Sequence, residues 1–356
     1  MKRVAVTVAA LLCAGLAACG TAGGVPVPGS SSSPSSSSAD PVVPGPADPV
    51  VGVASTAPAD PPLSLSDSRS DPSADPSAIG SDADPLPAPF TGDESMVWVP
   101  AGDHRVPGTL ALPADAAGRQ VPAVLMLHGD LGTRDADGDM FARLAAALAA
   151  RGIASLRIDF AGTGESEEPD LSLDYPNMVL DATASLDYLQ QDPTGDGAID
   201  PDRIAILGLS RGGGIGATVT GTVPGVAAFV SWSGAVYNGY DEDPDGHEEA
   251  RENGYVPLDF GDRIFKLGLN WFDTIEASHP LDDVSGYTGP ILAVVGSDDQ
   301  IVDPEVSTIF LQTVASTDTT LHVVDGADHG FTVDEQVGDE AIRVTTDWLV
   351  SRLGSG

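Results

Sequence analysis

From about residue 93 onward, short apolar runs alternate with longer stretches in which apolar residues recur at helical spacing. Apolar runs that are bounded by Gly, Asp or Pro predict buried strands. They lie at residues 123–127, 153–159, 204–207, 226–230, 291–295 and 320–324, after an expected antiparallel pair at 96–99 and 109–112. Because helical segments separate these runs, we predict an α/β fold. Its mostly parallel sheet of about eight strands should carry helices on both faces.

The helical segments also have recognisable ends and apolar faces. Helices are predicted over residues 140–151, 175–191 and 341–353, and from Pro304 onward. Gly152 follows the first helix at the position where glycine commonly closes a helix. The pattern of the second helix predicts four core residues, which are Leu180, Ala184, Leu186 and Leu189.

One segment interrupts the alternation of strands and helices. Residues 235–289 separate the sixth and seventh predicted strands and are too many for a single crossover helix. The segment carries many of the aromatic residues of the chain, namely Tyr237, Tyr240, Tyr255, Phe260, Phe265, Trp271, Phe272 and Tyr287. We interpret it as an inserted cap over the functional site. The alternative is a surface excursion whose aromatic residues pack on the domain.

The first 92 residues have a different composition. Lys2 and Arg3 precede an apolar run over residues 4–12, which indicates an export signal and is too short to remain as a membrane span. Residues 16–20, Leu-Ala-Ala-Cys-Gly, resemble a bacterial lipobox, so residues 1–19 are expected to be a lipoprotein signal peptide with Cys19 lipidated. An ordinary secretory signal that contains a chance cysteine is the alternative. Residues 20–92 are rich in Ser, Pro, Ala and Asp and predict a disordered tether to a domain at 93–356.

The formal net charge of −37 argues against nucleic acid or an anionic membrane surface as a partner. The acidity extends through the predicted domain, because residues 93–356 contain 45 acidic and 13 basic residues. A strongly solvated surface explains this charge, and adaptation to high salt is the alternative. The two cysteines are Cys13 and Cys19. The predicted domain therefore holds no disulfide, thiol nucleophile or cysteine-bound metal.

The strongest chemical motif is Gly-Leu-Ser-Arg-Gly at residues 208–212, between a predicted strand and a helix-compatible segment. A G-x-S-x-G motif in this context is typical of a nucleophile elbow, which exposes the serine at the carboxyl end of the sheet. Ser210 is therefore the candidate nucleophile. A serine hydroxyl needs an imidazole base, and the imidazole needs a carboxylate that orients it.

Both partners are predicted on loops that follow late strands, in the order serine, acid, histidine. Asp299 lies three residues after the glycine that ends the strand at 291–295, and the adjacent Asp298 is the alternative acid. His329 lies in a glycine-flanked loop after the strand at 320–324 and is the candidate base. No grouping of His and carboxylates has the spacing of a metal site, so we expect neither a metal nor a cofactor.

A developing oxyanion requires two N–H donors. One should be the amide of Arg211, directly after the serine. The second should come from the loop after His128 and Gly129, from the amide of Asp130 or, failing that, of Leu131.

Together these motifs resemble the α/β-hydrolase family, and within it the bacterial cinnamoyl/feruloyl esterase branch of serine carboxylesterases. The resemblance spans about residues 95–353 and includes the turn at 157–166, Arg-Ile-Asp-Phe-Ala-Gly-Thr-Gly-Glu-Ser. It implies an α/β-hydrolase fold with the cap after the sixth strand. The chain departs from this branch at Asp130, where an aromatic or apolar residue is usual, and at Arg211.

The resemblance implies a serine esterase that cleaves a small-molecule ester through an acyl-enzyme on Ser210, and the lipobox-like signal predicts that it acts at the cell envelope. Its location would be the outer face of the cytoplasmic membrane, reached through the lipid anchor, or the secreted fraction. An acyltransferase or acyl-peptidase with the same triad is the closest alternative. A non-catalytic surface-binding protein on a hydrolase scaffold is a further one. The ester and the oligomeric state stay open.

Overall fold

The structure is a computed structural model that describes residues 93–239, 243–261 and 263–354. The predicted signal peptide with Cys19, the predicted tether over 20–92, and Tyr240 of the predicted cap lie outside the described residues.

Eight strands form one mixed sheet in the order β1-β2-β4-β3-β5-β6-β9-β10. Their bounds are β1 Asp93–Ala101, β2 His104–Leu112, β3 Val121–Leu127, β4 Ala154–Ile158, β5 Ile199–Leu209, β6 Val226–Trp232, β9 Ile291–Gly296 and β10 Thr319–Val324. The β1–β2 and β2–β4 pairs are antiparallel, and the other five pairs are parallel. The predicted fold class is confirmed, including the insertion between the sixth and seventh strands of this sheet.

Alternation along the central strands builds a core on each face of the sheet. In β5, Ile204 and Ile206 belong to one hydrophobic cluster, whereas Ala205 and Leu207 belong to the other. All four side chains are fully buried. Because both faces of β5 are covered, the strand is a continuous apolar run rather than an alternating one.

Eight α-helices accompany the strands within the described residues. Their bounds are α1 Met140–Ala149, α2 Tyr175–Gln190, α3 Arg211–Thr222, α4 Pro244–Asn253, α5 Leu269–Glu276, α6 Pro280–Val284, α7 Glu305–Thr313 and α8 Glu335–Leu353. The cluster on one face includes residues of α2 and α3, and the cluster on the other includes residues of α1 and α8. No helix of the described ranges is long and apolar enough to cross a membrane.

The predicted core face of α2 is partly wrong. Leu186 and Leu189 are fully buried, but Leu180 is 40% exposed. The neighbouring Asp181 is fully buried instead, and its Oδ1 lies 2.6 Å from Nε2 of His104 on β2. The ion pair thus turns Asp181 inward and Leu180 outward.

The insertion between β6 and β9 contains α4, a two-stranded antiparallel sheet of β7 (Tyr255–Asp259) and β8 (Ile264–Gly268), then α5 and α6. Phe265, Trp271 and Phe272 are buried in it and join the main hydrophobic cluster. Asp170, in the loop after β4, accepts hydrogen bonds from Arg263 Nη2 at 2.6 Å and from the Lys266 amide at 3.0 Å. The Asp170 side chain of the main domain therefore binds both a side chain and the backbone of the insertion.

Candidate active site

Ser210 occupies a strained turn between β5 and α3. Its backbone angles are φ 55° and ψ −122°, in a region that L-residues rarely adopt and that costs on the order of 1–3 kcal/mol. The amide of Ser210 donates to Trp232 O at 2.9 Å, and its carbonyl accepts from the Ala235 amide at 2.9 Å. These bonds to the end of β6 and the residues after it hold the turn in its strained conformation.

The two glycines of the motif are required by close backbone contacts. A Cβ atom on Gly208 would lie 2.1 Å from Gly212 O, and one on Gly212 would lie 2.0 Å from Leu127 O. The missing side chain at Gly208 therefore lets the turn close on itself, and the missing side chain at Gly212 lets it approach the end of β3. This is the physical basis of the G-x-S-x-G motif here.

His329 and Asp299 form a hydrogen-bonded pair on the loops after β10 and β9. His329 Nδ1 lies 2.9 Å from Asp299 Oδ2. Asp299 Oδ1 accepts from the amides of Ile301 at 2.9 Å and Val302 at 3.0 Å. An ionised carboxylate can only accept, so Nδ1 carries the proton and Nε2 is left with its lone pair.

Electrostatics keep the Asp299 carboxyl ionised. Burial alone would raise its pKa, but the hydrogen bond and charge of His329 and the two backbone amides outweigh burial and hold the pKa below its ordinary value. Asp298, the alternative acid, is exposed, and its Oδ1 lies 3.4 Å from the hydroxyl of Ser297. The structure therefore brings Asp299, and not Asp298, to the imidazole.

Ser210 and His329 line one cleft of about 160 Å³. Nε2 of His329 is buried and makes no hydrogen bond to any described residue. Buried polar nitrogens without a partner are rare and call for a chemical explanation. The cleft is lined by the Gly129–Gly132 loop, which includes Leu131, and by the apolar residues Leu209, Phe260 and Ile301.

His128 also borders the cleft, but its nitrogens are engaged in shaping the loops. Its Nδ1 donates to Gly129 O at 2.7 Å, and its Nε2 accepts from the Phe160 amide at 3.2 Å. Burial lowers the pKa of His128 and keeps the ring neutral. The side chain thus joins the loop after β3 to the loop after β4.

The residues predicted to bind the oxyanion are linked by a buried ion pair. Arg211 begins α3, where the first amides have no acceptor within the helix. Its side-chain Nε lies 3.0 Å from Asp130 Oδ2, and the two side chains are 2% and 5% exposed. Asp130 Oδ1 accepts from Nε1 of Trp271 in α5 at 3.1 Å. Sequence reasoning missed Trp271 at this position, because no local signal joins residues 141 positions apart.

Of the seven described aromatic residues assigned to the cap, Phe260 alone lines the cleft. Phe265, Trp271 and Phe272 belong to the main hydrophobic cluster instead, and Tyr287 packs against it. Among the described residues, no group of three or more His, Cys, Asp or Glu side chains is close enough to hold a metal ion.

This chain matches several solved structures of the same fold over nearly the whole length of those structures. Est1E from Butyrivibrio proteoclasticus with bound ferulic acid is 20% identical, with a TM-score of 0.59 over 73% of this chain and 100% of that one. GrgF, an alpha/beta hydrolase from Penicillium sp. sh18, is 16% identical, with a TM-score of 0.61 over 73% and 99%. The esterase domain of a Rhodothermus marinus protein is 20% identical, with a TM-score of 0.54 over 74% and 100%. At these identities the likeness establishes the fold.

No curated protein matches the sequence significantly. The sequence model of one family, described as serine aminopeptidase, S33, matches residues 120–245 and 272–336, which is more than half of the chain. The match covers the loop with Asp130, the elbow with Ser210 and the loops with Asp299 and His329. The chain therefore belongs to the serine aminopeptidase S33 family of α/β-hydrolases.

Proposed function

We propose that this protein is a serine hydrolase that cleaves small carboxylic esters through an acyl-enzyme on Ser210. The observation that carries the proposal is the strained turn at Ser210, in the same cleft as the unpaired Nε2 of the His329–Asp299 pair. Backbone strain of this kind is found mainly at active sites, ligand-binding loops and switch regions. A general base needs a free lone pair before it accepts the proton, and Nε2 of His329 carries one in the cleft that Ser210 also lines.

The reaction follows from these positions. Ser210 Oγ attacks the ester carbonyl as its proton passes to His329 Nε2, and Asp299 stabilises the imidazolium. The amides of Arg211 and Asp130 bind the oxyanion. When the bond to the alcohol oxygen breaks, His329 returns the proton to the leaving alkoxide. Water then attacks the acyl-enzyme, gives its proton to His329, and releases the acid as Ser210 regains its hydrogen.

The cleft supports a small, uncharged acyl group. Leu131, Leu209, Phe260 and Ile301 present apolar surface, and a volume of about 160 Å³ accommodates a short or planar acyl chain. The acidic surface and the carboxylate of Asp137 at the cleft disfavour anionic esters. The esterase structures that share the fold are consistent with this substrate class.

Cleavage of a peptide after a free amino terminus is the second candidate function. The description of the matched family favours it, and the carboxylate of Asp137 at the cleft is a group that could pair with a protonated amine. Both reactions use the same nucleophile, base and oxyanion donors. They differ in whether the preferred substrate carries an α-amino group.

A labelling and turnover experiment tests the proposal. A small fluorophosphonate should label the full-length protein at Ser210, and Ser210→Ala should abolish both labelling and hydrolysis of p-nitrophenyl and hydroxycinnamate esters. The same protein should be assayed on aminoacyl p-nitroanilides. Faster turnover of the anilides would select the aminopeptidase reaction, and unchanged ester turnover by Ser210→Ala would refute both.

We further propose that the enzyme is held at the outer face of the cytoplasmic membrane by lipid on Cys19. The lipobox-like sequence over residues 16–20 and the long polar segment after it support this location. Cys19→Ala should move the protein from the membrane fraction into solution, whereas Cys13→Ala serves as the control and should leave it in place. Membrane retention of Cys19→Ala would refute the anchor.

A further inference from the structure

A buried carboxylate next to the cleft is bound by two distant parts of the chain. Asp130 Oδ2 pairs with Arg211 Nε at 3.0 Å, and Asp130 Oδ1 accepts from Trp271 Nε1 at 3.1 Å. All three side chains are at most 5% exposed. Asp130 therefore connects the start of α3, which follows Ser210, with helix α5 of the insertion.

Stability alone does not explain this arrangement. Removing two charges from water is costly, and buried ion pairs are often no more stabilising than apolar residues of the same volume. A carboxylate near an oxyanion also opposes the charge that develops in the transition state. The positive charge of Arg211 offsets the negative charge of Asp130, and the indole N–H of Trp271 donates to Asp130 Oδ1. The two contacts therefore balance the charge of the carboxylate and fix its orientation.

Fixing the Asp130 side chain also restrains the position of the Asp130 backbone amide. The amide of Asp130 is one of the two proposed oxyanion donors, and the next residue, Leu131, has a strained positive φ of 59°. A loop in such a conformation holds its shape only when the surrounding contacts impose it. The two bonds to the Asp130 carboxylate are contacts of this kind. Small errors in donor position strongly reduce transition-state stabilisation.

We propose that Trp271 is a positioning residue for catalysis, which acts through the Asp130 carboxylate to hold the Asp130 amide at the oxyanion position. This inference rests on the proposed serine hydrolase reaction. In this role the insertion controls the rate of acyl transfer, in addition to any part it has in forming the cleft. The expected signature is a change in kcat with little change in KM, because the contact matters in the transition state rather than in substrate binding.

Trp271→Phe isolates the hydrogen bond, since it removes the indole N–H and keeps a large ring beside Phe272, whose centroid lies 4.9 Å from that of Trp271. Trp348→Phe is the matched control. Trp348 in α8 is 9% exposed, and its Nε1 is buried without a partner among the described residues. Both variants remove one indole N–H from a buried site, but only Trp271 donates to Asp130.

The assay uses the full-length chain, with active sites titrated by the fluorophosphonate so that misfolded protein does not count. We expect Trp271→Phe to lower kcat per titrated site by about 10- to 100-fold, with KM within threefold of wild type. Affinity for a boronic acid that forms a tetrahedral adduct on Ser210 should fall by a similar factor. Trp348→Phe should match wild type in all three measurements.

Two results would refute the positioning role of Trp271 while leaving the proposed hydrolase function intact. One is a kcat per titrated site and a boronic acid affinity for Trp271→Phe within twofold of Trp348→Phe. The other is an effect confined to KM or to the fraction of titratable sites, which a purely structural role would produce. If wild-type Ser210 does not react with the fluorophosphonate, the proposed function itself fails and this inference with it.

Discussion

Replacement of Asp299 by asparagine offers a sharp test of the arrangement at the cleft, because the structure dictates how the new amide must sit. The amides of Ile301 and Val302 both donate to Oδ1 of Asp299. Asparagine can keep those two bonds only with its oxygen at this position. Each bond contributes on the order of 1 kcal/mol, and reversing the amide would set its NH₂ against two other donors.

The NH₂ group of the new asparagine must then face Nδ1 of His329, which has to become an acceptor. The ring proton moves to Nε2, and the imidazole loses the lone pair that would take the proton of Ser210. The same substitution in another serine hydrolase lowers kcat by about 10⁴ through the wrong tautomer. We expect a loss of about 10³–10⁴ here, which corresponds to roughly 4–5.5 kcal/mol of transition-state stabilisation.

The measurement is kcat/KM on a p-nitrophenyl ester, together with urea unfolding of the same variants. Asp299→Asn should lose less activity than Ser210→Ala and keep most of its stability, since the two backbone hydrogen bonds survive and the new NH₂ donates to Nδ1 of His329 in place of the third. Asp298→Asn is the control and should be mild, because Asp298 is exposed. A severe Asp298→Asn with a mild Asp299→Asn, or an Asp299→Asn within tenfold of wild type, would refute the reasoning.

Three further predictions concern packing, pH and selectivity. Gly212→Ala should lower the free energy of unfolding by roughly 1–3 kcal/mol or more in urea, because its Cβ would lie 2.0 Å from Leu127 O, whereas Gly286→Ala, with no atom within 4 Å, should have little effect. Stability should fall as pH rises from about 4 to above 6. Burial raises the folded pKa of Asp181 from 3.8 to about 6, so between these values the folded state binds a proton that the unfolded state has lost. Burial alone would lower the pKa of His104, but the hydrogen bond and charge of Asp181 raise it above 6.5, which extends the fall in stability to higher pH. The urea midpoint of Asp181→Asn should change much less with pH than that of the wild type. An equal pH dependence in the variant would show that Asp181 is not the group responsible. Phe260→Ala should change the relative kcat/KM of short and bulky esters by about tenfold, and an unchanged ratio would remove Phe260 from the acyl site.

The parts of the site that sequence could predict are those encoded by local constraints. The strand before Ser210 and the glycines around it are visible because the tight turn forbids a Cβ at Gly208 and Gly212. The loops of Asp299 and His329 follow from the alternation of strands and helices. Their roles in catalysis stay predictions, but their positions beside one another follow from the parallel order of β5, β6, β9 and β10.

The parts that sequence could not predict depend on contacts between distant residues. The exposure of Leu180 follows from the pairing of Asp181 with His104, 77 residues away. The contact of Trp271 with Asp130 likewise has no signature in either local sequence. One miss has a local cause instead: helix α8 begins six residues before its predicted start, where Asp334 caps it by accepting from the Val337 amide, because its polar first turn lacks the apolar spacing on which the prediction relied.

The strained backbone at Ser210, which the proposed reaction uses, lowers the thermal stability of this protein. A conformation that costs on the order of 1–3 kcal/mol is a substantial share of a total stability of roughly 5–15 kcal/mol. Glycine adopts these angles without strain, so Ser210→Gly should melt a few degrees higher than the wild type while hydrolysing nothing. Attempts to raise the heat tolerance of the protein by selection for folding alone would therefore favour loss of Ser210, the proposed nucleophile. Such selection should be coupled to turnover from the first round.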